Sequence, residues 1–156
     1  MNLLALDAST TITGWCAAVD GEYADSGTKR FSDKLPGWYR VFEYVRWLEA
    51  GLASWGPVHA IIYELATGNS GGNMATHRML GSLEGFTRYK AFLHSIRFVT
   101  VTATQVKASG AHKGPAGLIG ASGIAGRKIT RPDEADAIGV MSAGWAKIVK
   151  GRLLKD

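Results

Sequence analysis

The sequence predicts an α/β fold in which a mixed five-stranded sheet, its three N-terminal strands antiparallel, is flanked by helices. Three observations predict it. Short apolar runs separated by turn residues fill positions 1–30, helical periodicity begins at Pro36, and strand-like and helix-like segments alternate from there on. With 156 residues, 46% of them hydrophobic, the chain can build one buried core of ordinary size, so a single domain over 1–156 is expected.

The first strand is the apolar run Leu3-Leu4-Ala5-Leu6, closed by Asp7. Ile12 to Val19 is the second and Glu22 to Lys29 the third, with Thr13-Gly14 and Asp20-Gly21 read as turn chemistry. After Pro36, residues Trp38, Val41, Phe42, Val45, Leu48, Leu52 and Trp55 recur at helical spacing, and Gly56-Pro57 ends that helix. Val58 to Glu64 reads as a buried strand that terminates in a carboxylate. The polar stretch Ala66 to Asn73 is a glycine loop, and Met74 to His94 a second helix on which Gly81 and Gly85 leave a smooth face. Ile96 to Thr102 is the fifth strand. Residues 108–131 form a basic, glycine-rich segment with glycine at 114, 117, 120, 123 and 126; a loop is expected there, a weak helix with a glycine face being the other possibility. Pro132 opens a last helix to about Lys150, with Ile138, Met141, Trp145 and Ile148 on its apolar face.

Charge and composition narrow the function classes. No run approaches the roughly 20 apolar residues of a membrane-spanning helix, and Met1-Asn2-Leu3-Leu4 lacks the basic start of a signal sequence. A cytoplasmic protein with no membrane partner is expected. The single cysteine, Cys16, excludes an internal disulfide and a cysteine-rich zinc site, and reads as a small buried hydrophobe. Net charge is +5, but residues 1–77 hold 5 basic and 8 acidic side chains, whereas 78–131 hold nine basic groups against Glu84 alone. So one-sided a block points to a polyanionic partner, most often nucleic acid, with Arg78, Lys107, Lys113, Arg127, Lys128 and Arg131 as candidate contacts.

Four carboxylates stand at element edges. Asp7 ends the first strand, Glu64 ends the fourth, and Asp133 and Asp136 lie three apart at the start of the last helix, hence on one face, roughly opposite its Ile138/Trp145 stripe. Each alone reads as a turn cap, an exposed strand end or a residue at a helix dipole. Together they suit hard, oxygen-seeking cations such as Mg²⁺ or Mn²⁺.

The segments Leu4-Ala5-Leu6-Asp7-Ala8-Ser9-Thr10 with Thr13-Gly14-Trp15, Ile61-Ile62-Tyr63-Glu64, Thr104-Gln105-Val106-Lys107 and Asp133-Glu134-Ala135-Asp136-Ala137-Ile138 occur in this order over nearly the whole chain. In them the sequence resembles the RuvC-type Holliday junction resolvases of the ribonuclease H-like nuclease superfamily, in a short form similar to phage members. The resemblance implies a ribonuclease H-like fold, a homodimer, and hydrolysis of branched DNA, the four-way junction above all, with two Mg²⁺ or Mn²⁺ ions per active site. It implies that Asp7 bridges two ions, Glu64 holds one, and Asp133 and Asp136 complete the shell, the ions clamping the attacking water and the leaving 3′ oxygen. Lys107 matches a family lysine near the scissile phosphate. A second family lysine has Lys113 as its one nearby candidate. The family's aromatic after the second acid has no counterpart in Leu65 to Asn73, so broader cutting of branched DNA is expected.

A two-fold dimer would present two equivalent sites to a junction, and the Met74–His94 helix with Gly81 and Gly85 is the candidate interface. Other readings are a nuclease of the same fold acting on structured RNA, a non-catalytic junction-binding protein, and a sugar-kinase or actin-like ATPase, whose phosphate loop Asp7-Ala8-Ser9-Thr10-Thr11 faintly resembles. Four retained carboxylates disfavour the binding protein, because clustered like charges call for a neutralising metal. The ATPase needs two such domains, and this chain supplies one.

Overall fold

A computed structural model of the chain describes residues 1–34, 36–66 and 74–153, so most of the expected glycine loop, 67–73, lies outside the described residues. Its elements are β1 Asn2–Asp7, β2 Ile12–Val19, β3 Glu22–Arg30, α1 Gly37–Ser54, β4 Ala60–Glu64, α2 Met74–Leu93, β5 Arg97–Val101, α3 Ala103–Ala108, α4 Pro115–Ala125 and α5 Pro132–Leu153. The strands form one sheet in the order β3-β2-β1-β4-β5. β1, β2 and β3 are antiparallel neighbours, while β1–β4 and β4–β5 are parallel, so the expected mixed sheet is present.

Alternation along the strands divides the core in two. Leu4 and Leu6 of β1 and Ile61 and Tyr63 of β4 face α1 and α2, where they meet Val41, Tyr44, Leu48 and Leu83. Leu3 and Ala5 with Ala60 and Ile62 face the other way and pack with Ala137, Ile138, Met141 and Ile148 of α5. On α1 the buried residues are Val41, Tyr44, Leu48 and Gly51, a stripe rotated from the one the periodicity suggests. Trp38 and Phe42 remain exposed, and Tyr44 goes inside because its hydroxyl finds Thr87 Oγ1 at 2.7 Å.

Two further expectations are corrected. Thr13-Gly14 is no turn: Gly14 lies within β2, paired with Asp7 of β1, and the chain reverses at Asp20-Gly21, both at positive φ. The segment 108–131 is not a loop, because it contains α4. Glycine normally weakens a helix, but here it lets the helix backbone come close to the chain before it. A Cβ on Gly117 would lie 2.0 Å from the carbonyl oxygen of His112, and one on Gly120 2.1 Å from that of Gly110. α3 starts at a capping box, Gln105 N–H donating to Thr102 Oγ1 and Thr102 N–H to Gln105 Oε1.

α3 and α4 lie over α5, which is therefore covered on both sides. Residues 134 to 141 are all buried, in place of the single apolar stripe the sequence suggests. Asp136 consequently sits inside the protein at 4% exposure, not on a face opposite the core.

Candidate active site

Strand register brings the first two carboxylates together. β1 and β4 are parallel with Leu6 opposite Tyr63, so Asp7 and Glu64 are the next residues on adjacent strand ends, about one strand spacing of 4.8 Å apart. By alternation both share the side of Ala5 and Ile62, the side α5 covers. Asp133 reaches the same place because β2 has no side chain in its way: a Cβ on Gly14 would lie 1.8 Å from the Asp133 carbonyl oxygen. Asp136, one helical turn on, follows it inward.

The electrostatics record this convergence. Burial, and after it the charge of Glu64, push Asp7 from an ordinary 3.8 up to about 7; Asp136 and Asp133 add to the rise. Glu64 is likewise raised to about 7, by burial and then by Asp136. Two cations oppose these shifts. Lys113 acts on both Asp7 and Glu64, and Lys107 on Glu64. Lys113, between α3 and α4, donates from its backbone N–H to Asp136 Oδ1 at 2.6 Å and pairs its Nζ with Oδ2 at 2.8 Å.

The other basic candidates are spread out. Arg131, just before α5, donates to Thr28 Oγ1 at 2.6 Å. With Ile12, Thr28, Arg30, Pro132 and Asp133 it lines a groove of about 390 Å³, Asp133 being the one carboxylate of the four in its wall. Arg127 is engaged within the fold: its Nη2 donates to Glu134 Oε1 at 2.6 Å and its Nε to Tyr23 Oη at 3.1 Å. Lys128 is exposed beside Leu118 and Ile119 of α4. Arg78 is exposed on α2 and is not among the charges that act on Asp7 and Glu64.

The sequence matches no known protein-family model and no curated protein. Solved structures do match. A Thermus thermophilus RuvC structure is 21% identical, covers 96% of this chain and 97% of that one, and superposes with a TM-score of 0.71. The T. thermophilus RuvC in complex with Holliday junction substrate is 18% identical over 95% of this chain and 96% of that one, with a TM-score of 0.76. The fold is of the RuvC type. The expected mixed five-stranded sheet with three antiparallel N-terminal strands is present, and α3 and α4 add two helices to the three that were expected.

Within this RuvC-type fold the donor set suits a divalent cation by its chemistry. It is all oxygen, and it holds two carboxyls at a cost that a cation would relieve. Among the described residues, no three carboxylates stand close enough to hold one ion as they are disposed. Residues that sequence reasoning left without a role support the site. Ser9 donates its Oγ–H to the Ile12 carbonyl at 2.6 Å and accepts from Ile12 N–H at 3.1 Å, which closes the link after Asp7. Glu134, buried beside Asp133, accepts from Ser26 Oγ at 2.8 Å as well as from Arg127, tying the start of α5 to β3. Arg30 is the further basic residue of the groove. Strand-end position and the Asp133-to-Asp136 spacing are the signals that carried the four carboxylates; Arg30 and Glu134 have no such local signal.

Proposed function

We propose that the whole chain of 156 residues is one nuclease domain, a divalent-metal-dependent endonuclease that hydrolyses phosphodiester bonds of Holliday junctions and other branched DNA. The observation that carries this reading is the meeting of four carboxylates from three separated segments on one side of the sheet ends, with Lys107 and Lys113 beside them. A buried cluster of like charge does nothing for stability, so its use lies in what it binds. Asp7, Glu64, Asp133 and Asp136 would hold two Mg²⁺ or Mn²⁺ ions, which when bound supply activation of the attacking water and stabilisation of the departing 3′ oxygen. Lys107 and Lys113 meet the charge of the scissile phosphate, and the groove with Arg30, Thr28 and Arg131 takes the strand beside it. The likeness to a RuvC structure that contains a Holliday junction substrate supports a branched DNA substrate.

The same reading includes a homodimer. A Cβ on Gly81 or Gly85 of α2 would meet nothing within 4 Å, so no described residue covers that face. Phe86, Tyr89, Phe92 and Leu93 are exposed on the same helix, Phe92 by 79%, and a second copy supplies the surface that buries them. Among the described residues no helix is long and apolar enough to cross a membrane. A cytoplasmic site of action fits the DNA substrate.

Cleavage of labelled four-way, three-way and linear duplex DNA, with Mg²⁺ or Mn²⁺, tests the proposal. Paired nicks on opposed strands of the four-way junction are expected. Equal cutting of linear duplex, or cutting of structured RNA in preference to DNA, refutes it.

A further inference from the structure

Asp136 is the most deeply placed of the four carboxylates, and both its oxygens are already engaged by one residue. Lys113 reaches Oδ1 with its backbone N–H at 2.6 Å and Oδ2 with its ammonium at 2.8 Å. The two contacts differ in what holds them. The amide belongs to the connection that leads into α4 at Gly114 and Pro115, so it stays with the fold. The ammonium sits at the end of a flexible stem whose side chain is 65% exposed, whereas the Asp136 side chain is 6% exposed. Solvent is therefore open to the lysine and closed to the aspartate.

We infer that Lys113 is an internal counter-cation of the carboxylate cluster, its ammonium seated on Asp136 when no metal is bound and exchanged for a divalent ion when one enters. The inference rests on the reading of the four carboxylates as a metal site and adds a competitor built into the chain. Lone pairs that accept an ammonium are not free for a cation, and the positive charge repels a second positive ion nearby. The other cation on a buried carboxylate makes a contrast. Arg127 on Glu134 is also held by Tyr23 and Ser26, and such a cation is fixed, whereas the ammonium of Lys113 pairs with Asp136 alone among the described residues. Exchange leaves the amide contact in place, so Asp136 keeps its orientation while it changes partner. The released ammonium is then within a stem's length of the site where a phosphate would arrive.

Calorimetric titration of the full chain with Mn²⁺, without DNA, compares wild type, Lys113→Met and Asp7→Asn. Lys113→Met keeps the apolar stem and removes the competitor, so its Mn²⁺ dissociation constant should fall about 5-fold, the scale of an ion pair of intermediate exposure. Asp7→Asn should bind more weakly than wild type. An affinity in Lys113→Met equal to or weaker than wild type, with Asp7→Asn weakened, overturns the counter-cation while leaving the metal site standing. Unweakened binding in Asp7→Asn overturns the metal site and the inference with it. A second measurement needs no variant. In the wild-type chain, Mg²⁺ should increase the reductive methylation of the Lys113 amine, read by mass spectrometry against Lys128. Unchanged labelling of Lys113 overturns the inference.

Discussion

Asp7 and Glu64 carry the pH behaviour of the molecule at the residue scale. Their carboxyls ordinarily titrate near 3.8 and 4.5, and burial, aided by the charge of Glu64 on Asp7 and of Asp136 on Glu64, raises both to about 7 in the folded chain. The native state therefore binds more protons than the unfolded one between these limits, so the stability they leave to the protein is fully present below about pH 4 and is lost as pH rises through about 7. In a metal chelator the melting temperature should be about 5 °C lower at pH 7.5 than at pH 5.5. Excess Mg²⁺ should recover much of that difference at pH 7.5, which thermal melts at the two pH values will check. Asp7→Asn removes one of the repelling charges. It should melt about 2–4 °C above wild type in chelator at pH 7.5. The same variant should lose more than about 100-fold in junction cleavage, beyond the usual cost of changing an outer partner of a metal ligand. Junction binding by gel shift should survive. The residue scale is also where the sequence was most readable, since an acid that closes an apolar strand is visible without neighbours. What each acid faces was not visible, because Glu64 owes its environment to a strand paired to β1 from more than fifty residues away.

At the scale of elements, α4 shows how tertiary contact overrides propensity. A glycine at every third position costs about 1 kcal/mol each in an isolated helix, which is why the sequence reads as a loop. The helix forms because its glycine face lies against the chain at Gly110 to His112 and its other residues cover α5. Gly120→Ala places a methyl where Gly110 carbonyl oxygen stands, and should cost about 2 kcal/mol in urea unfolding. Gly123 points into open space, so Gly123→Ala should gain up to about 1 kcal/mol in the same experiment. The start of α5 depends on another element pair. Glu134 accepts from Ser26 of β3 and from Arg127 beyond α4, and Glu134→Ala leaves Arg127 without its carboxylate. A loss of about 2 kcal/mol is expected, below the value for a fully buried pair because Arg127 is 44% exposed. The ends of α1, α2 and α5 were legible from Pro, Gly and apolar spacing. The buried stripe of α1 was not, since Tyr44 enters the core only where Thr87 of α2 meets its hydroxyl.

At the scale of the whole molecule, the proposed dimer unites two sites that one chain cannot present together. Phe92→Glu puts a charge on the exposed face of α2, away from the carboxylates. It should convert the dimer to a monomer in analytical ultracentrifugation without lowering the melting temperature by more than about 2 °C. Paired nicking of a four-way junction should give way to single, uncoordinated nicks. An unchanged dimer would move the interface elsewhere on the surface.

Five strands, the helices α1, α2 and α5, the mixed sheet, the separation of acidic and basic regions and the four carboxylates at element ends are legible in the sequence, because they follow from local period, turn chemistry and charge, whereas α3 and α4 are not. The packing alone shows that α5 lies between the sheet and the α3–α4 pair, that Gly14 admits Asp133 to the sheet, that Arg127 is paired with Glu134, and that Lys113 holds Asp136. Those are contacts between segments far apart in the chain, set by register and close packing, and no local pattern encodes them.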